Sequence, residues 1–164
     1  MATEVTVINR EWYTLLHKPK ISTKAVVGFT LEELKIAQYK PVLSVVLAND
    51  NLLWELNKKY RNIDRPTNVL SFSYHDTLSH GVCLGEVFLS IERLKSESYE
   101  MEVDISAHFA HMLIHGILHI LGYDHETSDD EQKMQTLEVE LLGKLGIANP
   151  YLVKAHTTAA SGSP

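Results

Sequence analysis

At 164 residues, with 45% hydrophobic and 22% charged residues, the chain has the composition of an ordinary folded protein, which excludes a disordered one. Its net charge of −6 excludes attraction of polyanions by overall charge, so any nucleic-acid contact needs a local basic patch. No segment approaches the roughly 18 apolar residues of a bilayer span, and the single cysteine, Cys83, can form no internal disulfide; a reducing, cytoplasmic setting with no membrane partner is the expectation.

The N-terminus lacks the basic start and apolar core of a secretory signal. Alternation from Glu4 to Asn9 predicts a short strand with Val5 and Val7 on one face. Trp12, Leu15 and Leu16 begin a helical spacing that Pro19 is expected to stop. Ser22 or Thr23 can cap a second helix, after which Thr30 with Glu33 reads as a capping box for a helix running to Gln38. Beyond Pro41, Val42 to Ala48 is an apolar, β-branched run of the length of a buried strand. Asn49, Asp50 or Asn51 can cap the next helix, which carries Leu52, Leu53, Leu56 and Tyr60 at helical spacing and ends before Pro66. Asn68 to Ser73 and Cys83 to Ser90 are strand-like, with Tyr74 to Gly81 as a loop and antiparallel pairing between them. Cys83 reads as a small core residue. Ile91 to Glu100 and Asp104 to Leu121 predict helices, the second closed by Gly122. Ser128 with Glu131 opens a last helix through Met134, Leu137, Leu141 and Leu142 to Leu145, with Gly146 behind it. The expected class is α+β: a small mixed sheet of about four strands packed with about five helices.

Four of the nine histidines, His108, His111, His115 and His119, crowd onto one predicted helix. His115 and His119 lie one turn apart on the same face and can aim their imidazoles at one point. Gly122 lets the chain leave the helix through the left-handed conformation, so His125 can swing back to that point. Three neutral nitrogens and a vacant fourth position are the arrangement of catalytic zinc, whereas structural zinc closes its sphere with four ligands and favours cysteines. One zinc ion on His115, His119 and His125, at the end of a central helix, is therefore the expected cofactor; nickel, copper or cobalt suit the same nitrogens. The expectation is a single metallohydrolase domain over residues 1–153, with 154–164 a disordered tail. A ligand register beginning at His111 is the alternative, although it leaves Gly122 and His125 unexplained. Asp124 and Glu126 flank His125, either orienting an imidazole or as solvated loop charges. The spacing also reproduces that of the metzincin proteases, except that Gly116 stands where they carry a glutamate base. Glycine takes no proton, which argues against a peptidase of that mechanism.

The segment His115-Gly-Ile-Leu-His-Ile-Leu-Gly-Tyr-Asp-His125 resembles the signature of the YbeY family, bacterial endoribonucleases of ribosomal RNA maturation. Asn57-Lys-Lys-Tyr-Arg-Asn-Ile-Asp-Arg-Pro-Thr-Asn-Val-Leu-Ser-Phe72 is similar to the family's Asn-x-x-Tyr-Arg-x-x-Asp-x-Pro-Thr-Asp/Asn-Val-Leu-Ser-Phe segment. Leu84-Gly-Glu-Val87 is similar to its Leu-Gly-Asp-Ile stretch. Glu86 keeps the usual charge with one more methylene, and Ser73 stands where many members have proline. The resemblance covers residues 50 to 150 and implies a small α+β metalloprotein with His115, His119 and His125 as ligands and Arg61 as the functional arginine. It implies a single-strand-specific, metal-dependent endoribonuclease acting in maturation of the 16S ribosomal RNA 3′ end and in ribosome quality control. RNA is then the substrate, with ribosomal proteins or the small subunit as candidate partners. Asn68, Ser71 and His75 are candidate substrate contacts in the family pattern.

Water on such an ion has its pKa lowered towards about 7, so hydroxide is available without a glutamate base. Arg61 would hold the phosphate through two parallel hydrogen bonds; apart from the resemblance, it reads equally as a helix-end arginine balancing the dipole. Lys58, Lys59, Arg61 and Arg65 form the densest basic cluster in an acidic chain, either the patch RNA requires or a solvated helix end. The rival readings are a ribosome-assembly binding factor whose metal holds the fold, and another metal hydrolase on the metzincin-like spacing. A zinc nucleoside deaminase is disfavoured, because its histidine and paired-cysteine signature is absent.

Overall fold

A computed structural model describes residues 2–78 and 81–152. The expected tail, 154–164, lies outside the described residues, as do the side chains of His75 and Cys83. In chain order the elements are β1 (Ala2–Val7), α1 (Glu11–Leu15), α2 (Pro19–Glu33), a 3-10 turn (Ala37–Tyr39), β2 (Val42–Ala48), α3 (Asp50–Arg61), β3 (Val69–Leu78), β4 (Gly81–Ser90), α4 (Ile91–Met101), α5 (Ile105–Ile120) and α6 (Ser128–Lys144). The four strands form one mixed sheet in the order β1-β2-β4-β3. β1, β2 and β4 run parallel, and β3 is the antiparallel edge. The fold is the expected α+β arrangement.

β2 reads as a continuous apolar run because both faces of the sheet are covered. Leu43, Val45 and Leu47 enter the main core with Trp12, Leu31, Leu113 and Ile117. Val46 and Ala48 point the other way and join Leu53 of α3 and Leu70 of β3. α5 is the central helix and is apolar on more than one face, as a helix between layers must be. Leu113 and Ile117 pack in the main core, whereas Ile114 and Leu118 meet Met134, Leu141 and Leu142 of α6. Trp12 Nε1 donates to the Ala48 carbonyl (3.0 Å), tying α1 to the end of β2.

Several boundaries differ from expectation for identifiable reasons. β1 spans Ala2–Val7 and does not reach Asn9. Pro19 opens α2 at its first turn, where the missing N–H has no partner to lose. Thr30 and Glu33 form no capping box, because α2 runs through them: the buried Thr30 hydroxyl donates to the Val26 carbonyl (2.7 Å) one turn back. That internal bond lets threonine sit inside a helix. The chain then turns at Lys35 (φ 61°), so no helix continues to Gln38. Tyr74 to Gly81 is not a loop over most of its length. β3 and β4 keep pairing past an irregularity between Ser73 and Asp76, as far as Leu78 opposite Gly81; a ladder needs only backbone groups, and polar residues do not stop it. Thr127, not Ser128, caps α6, its Oγ1 accepting from the Asp130 N–H (3.1 Å).

Candidate metal centre

α5 starts at Asp104, whose Oδ1 accepts the Ser106 N–H (2.9 Å), and carries His115 and His119 in its last two turns. Their ring centroids are 4.6 Å apart and their Nε2 atoms 3.0 Å apart. The helix closes on Gly122 (φ 101°), with Gly122 N–H donating to His119 O (3.1 Å) and Tyr123 N–H to Leu118 O (3.0 Å). This pair of bonds needs a left-handed residue between them, which glycine supplies without steric cost. The returning chain brings the His125 ring 5.2 Å from His119 and stacks it on His115 at 6.2 Å and 16°. One nitrogen from each of the three lies within 4.8 Å of the others. Two nitrogens on a tetrahedral zinc stand about 3.3 Å apart, close to the observed Nε2 pair. The donor set fits a small divalent ion.

Behind this trio stands Glu138 of α6, fully buried at 0% exposure. Its carboxylate takes His115 Nδ1 (3.0 Å), His111 Nε2 (2.7 Å) and the Tyr151 hydroxyl (2.7 Å). An ionised carboxylate only accepts, so Nδ1 of His115 is the donor, and in the neutral ring that tautomer leaves the Nε2 lone pair free. Burial alone would raise the Glu138 carboxyl, but the bonds from His111, His115 and Tyr151 outweigh it and hold the group at about 2. Burial, with His115 and His125 close by, pushes His119 down to about 4, leaving it the neutral imidazole that a metal requires. His111 does not join the group: it is buried, with Nε2 committed to Glu138, so the fold assembles the trio that begins at His115. His108 turns to Glu97 (Nε2 to Oε1, 2.8 Å).

The three imidazoles open into a cleft of about 1370 Å³ that they share with Arg61, Asn68, Ser71 and Phe72. It follows the outer edge of β3, between the C-terminal ends of α3 and α5. Arg61 reaches over that edge: Nη2 donates to the Ser71 carbonyl (2.8 Å), and the guanidinium carbon lies 5.6 Å from the Phe72 ring centroid. The Ser71 hydroxyl donates to the Gly116 carbonyl (2.8 Å), binding β3 to α5. Asn68 gives its amide to both Glu97 oxygens (3.2 Å each) and accepts the Val69 N–H (2.8 Å). Both side chains line the cleft, yet each already serves the scaffold. Asp124 Oδ1 accepts the Glu126 N–H (3.2 Å). The carboxylate seen against an imidazole of the trio is that of Glu138. Arg65 lines the same cleft, while Lys58 and Lys59 are exposed at the end of α3.

Gly116 faces the sheet. A Cβ there would lie 2.8 Å from Val87 Cγ1 and 3.1 Å from both Ser71 Oγ and Val69 Cγ2. A glutamate could not take this position without displacing these side chains or α5 itself.

A family profile described as Endoribonuclease YbeY matches residues 7–146. The chain belongs to the YbeY family. It is 58% identical over 154 residues to the endoribonuclease YbeY of Anaplasma phagocytophilum (strain HZ), covering 94% of this chain and 99% of that one. The endoribonuclease YbeY of Ehrlichia canis (strain Jake) is 47% identical over 149 residues, 91% of this chain and 96% of that one. The solution structure of TM1509 from Thermotoga maritima matches with a TM-score of 0.55 at 22% identity, over 87% of this chain and 91% of that one, a likeness of fold. The YbeY profile takes in Arg61, the histidine trio and Glu138, and ends before Tyr151. No described helix is long and apolar enough to cross a membrane.

Glu138 and Tyr151 were not foreseen from sequence. The available signal was a carboxylate within the apolar stripe of Met134, Leu137, Leu141 and Leu142, a position where an ionised group needs partners.

Proposed function

We propose that this chain is a zinc-dependent endoribonuclease that hydrolyses phosphodiester bonds in single-stranded RNA and acts in the cytoplasm in ribosomal RNA maturation. The observation that carries the reading is the convergence of three imidazole nitrogens within 4.8 Å in an open cleft shared with Arg61, in a chain whose YbeY relatives are named endoribonucleases.

His115, His119 and His125 would hold the ion, and a divalent ion there supplies Lewis-acid chemistry, acidifying water and drawing charge from a phosphoryl oxygen. Glu138 fixes the His115 tautomer so that Nε2 faces the cleft. His119 stays neutral through the physiological range because burial and its two histidine neighbours disfavour its proton. Arg61, anchored by one nitrogen on the Ser71 carbonyl, has further N–H groups to offer a phosphate as negative charge builds in the transition state. Asn68 and Ser71 shape the wall of the cleft, and His75 is a further candidate on β3. Gly116 offers no proton acceptor, which disfavours the peptidase chemistry of the metzincin spacing.

Elemental analysis and RNA cleavage measured on the same preparations test the reading. His119→Ala is expected to lose both metal and cleavage, whereas Arg61→Ala keeps the metal and loses cleavage. Single-stranded RNA is expected to be cut, with structured RNA and casein resistant. Wild-type protein that takes up no stoichiometric metal refutes the proposal, and retained cleavage by Arg61→Ala removes that arginine from the mechanism.

A further inference from the structure

The same cleft carries an aromatic surface that the metal chemistry does not use. Tyr60, the residue before Arg61, is 61% exposed, although its ring lines the cleft that holds the imidazoles. It stands edge-on to Phe72 (centroids 5.6 Å, 71°), which in turn stands edge-on to Phe88 (5.8 Å, 83°). Cations flank this ladder: Lys59 Nζ lies 5.2 Å from the Tyr60 ring and the Arg61 guanidinium 5.6 Å from Phe72. An exposed ring with a rigid aromatic backing and cations beside it is the arrangement that binds bases by stacking and their phosphates by charge.

The charge lining the cleft offers an RNA strand little net attraction. Three arginines line the cleft against four carboxylates, and Arg93 is already engaged with Asp50 (3.4 Å). With the chain at −6 overall, a bound strand needs a contribution that does not depend on neutralising phosphates. We propose that Tyr60, backed by Phe72, is a stacking shelf for one unpaired base of the RNA strand whose phosphodiester lies at the imidazoles. This rests on the endoribonuclease reading and supplies it with a source of single-strand preference: a base already paired and stacked in a duplex cannot turn its face to Tyr60.

The test measures anisotropy of a fluorescein-labelled single-stranded oligoribonucleotide with zinc-loaded protein, and KM and kcat for its cleavage. Wild type is compared with Tyr60→Phe, Tyr60→Leu and Tyr60→Ala, each against oligonucleotides lacking one base at successive positions. Loss of the ring in Tyr60→Ala is expected to weaken binding roughly 5- to 150-fold, while Tyr60→Phe binds as wild type does. KM rises and kcat and zinc content stay put. Tyr60→Leu, which keeps apolar bulk against Phe72 without a π face, is expected to lie near alanine; affinity equal to wild type would overturn stacking in favour of packing. In wild type one abasic position reproduces the loss, and in Tyr60→Ala the same position costs nothing more. Equal abasic penalties in wild type and Tyr60→Ala defeat the shelf while leaving the endoribonuclease reading intact. Wild-type protein that neither binds nor cuts single-stranded RNA defeats both.

Discussion

Replacing Glu138 with alanine would remove the acceptor for three donors at once: His115 Nδ1 at 3.0 Å, His111 Nε2 at 2.7 Å and the Tyr151 hydroxyl at 2.7 Å. Each buried donor left unsatisfied costs about 1–3 kcal/mol. Water entering the emptied space offsets part of the sum, so a net loss of about 3–5 kcal/mol is expected. A second effect is separate from stability. Without an acceptor at Nδ1, His115 can place its proton on Nε2, the nitrogen that faces His119, and losing such a supporting carboxylate lowers metal affinity about 10- to 100-fold. Glu138→Gln divides the two effects, since it keeps the volume and one accepting oxygen but turns an N–H₂ group towards a donor. The assays are urea unfolding of metal-free protein and zinc affinity by competition with a chelating dye, on the same preparations. Glutamine is expected to restore much of the stability and little of the affinity. Zinc bound by Glu138→Gln as tightly as by wild type would refute the claim that this carboxylate sets the His115 tautomer.

Gly116→Ala places a methyl 2.8 Å from Val87 Cγ1 and is expected to cost about 1–3 kcal/mol by overpacking; an unchanged urea midpoint would mean that α5 does not press on the sheet there. Acid is expected to weaken the metal-free protein in two stages. His119 has a folded pKa of about 4 against 6.5, so the unfolded chain takes the proton first and stability falls as pH drops from 6.5 towards 4. Glu138 has a folded pKa of about 2 against 4.5; its contribution, about 3 kcal/mol, is present above 4.5 and is lost as pH falls towards 2. Urea midpoints measured from pH 7 to 3 check both, and a flat profile contradicts them.

What could be read from sequence depended on how local its cause was. β2 matches its expected bounds, Val42–Ala48, because burial on both faces leaves an uninterrupted apolar run. The convergence of the three histidines was legible because a one-turn spacing and a left-handed glycine are properties of eleven consecutive residues. Thr30 misled because the capping signal and a threonine bonded inside a helix look alike until burial is known. Asn68 and Ser71 were legible as cleft residues by resemblance. Their bonds to Glu97 and to the Gly116 carbonyl join distant segments and leave no local pattern. The same holds for Glu138, whose stripe on α6 advertises burial of a charge without naming the histidine it meets.

Gly116 and Glu138 together explain how a metzincin spacing can lose its glutamate and keep a coherent site. In that spacing the carboxylate follows the first histidine; here that position is the contact between α5 and the strands β3 and β4, where even a Cβ would force its neighbours to shift. The carboxylate that serves the histidines comes instead from α6, on the opposite side of the helix, where Ile114 and Leu118 already pack. It binds Nδ1 of His115 and is fully buried, so it can orient the imidazole but cannot reach a water in the cleft. The packing that seats α5 on the sheet thus moves the carboxylate from the reacting face to the supporting one. Under the proposed function, the positive charge at the cleft face would come from an ion on the imidazoles and from Arg61, which enters over the edge of β3 from the far face of the sheet.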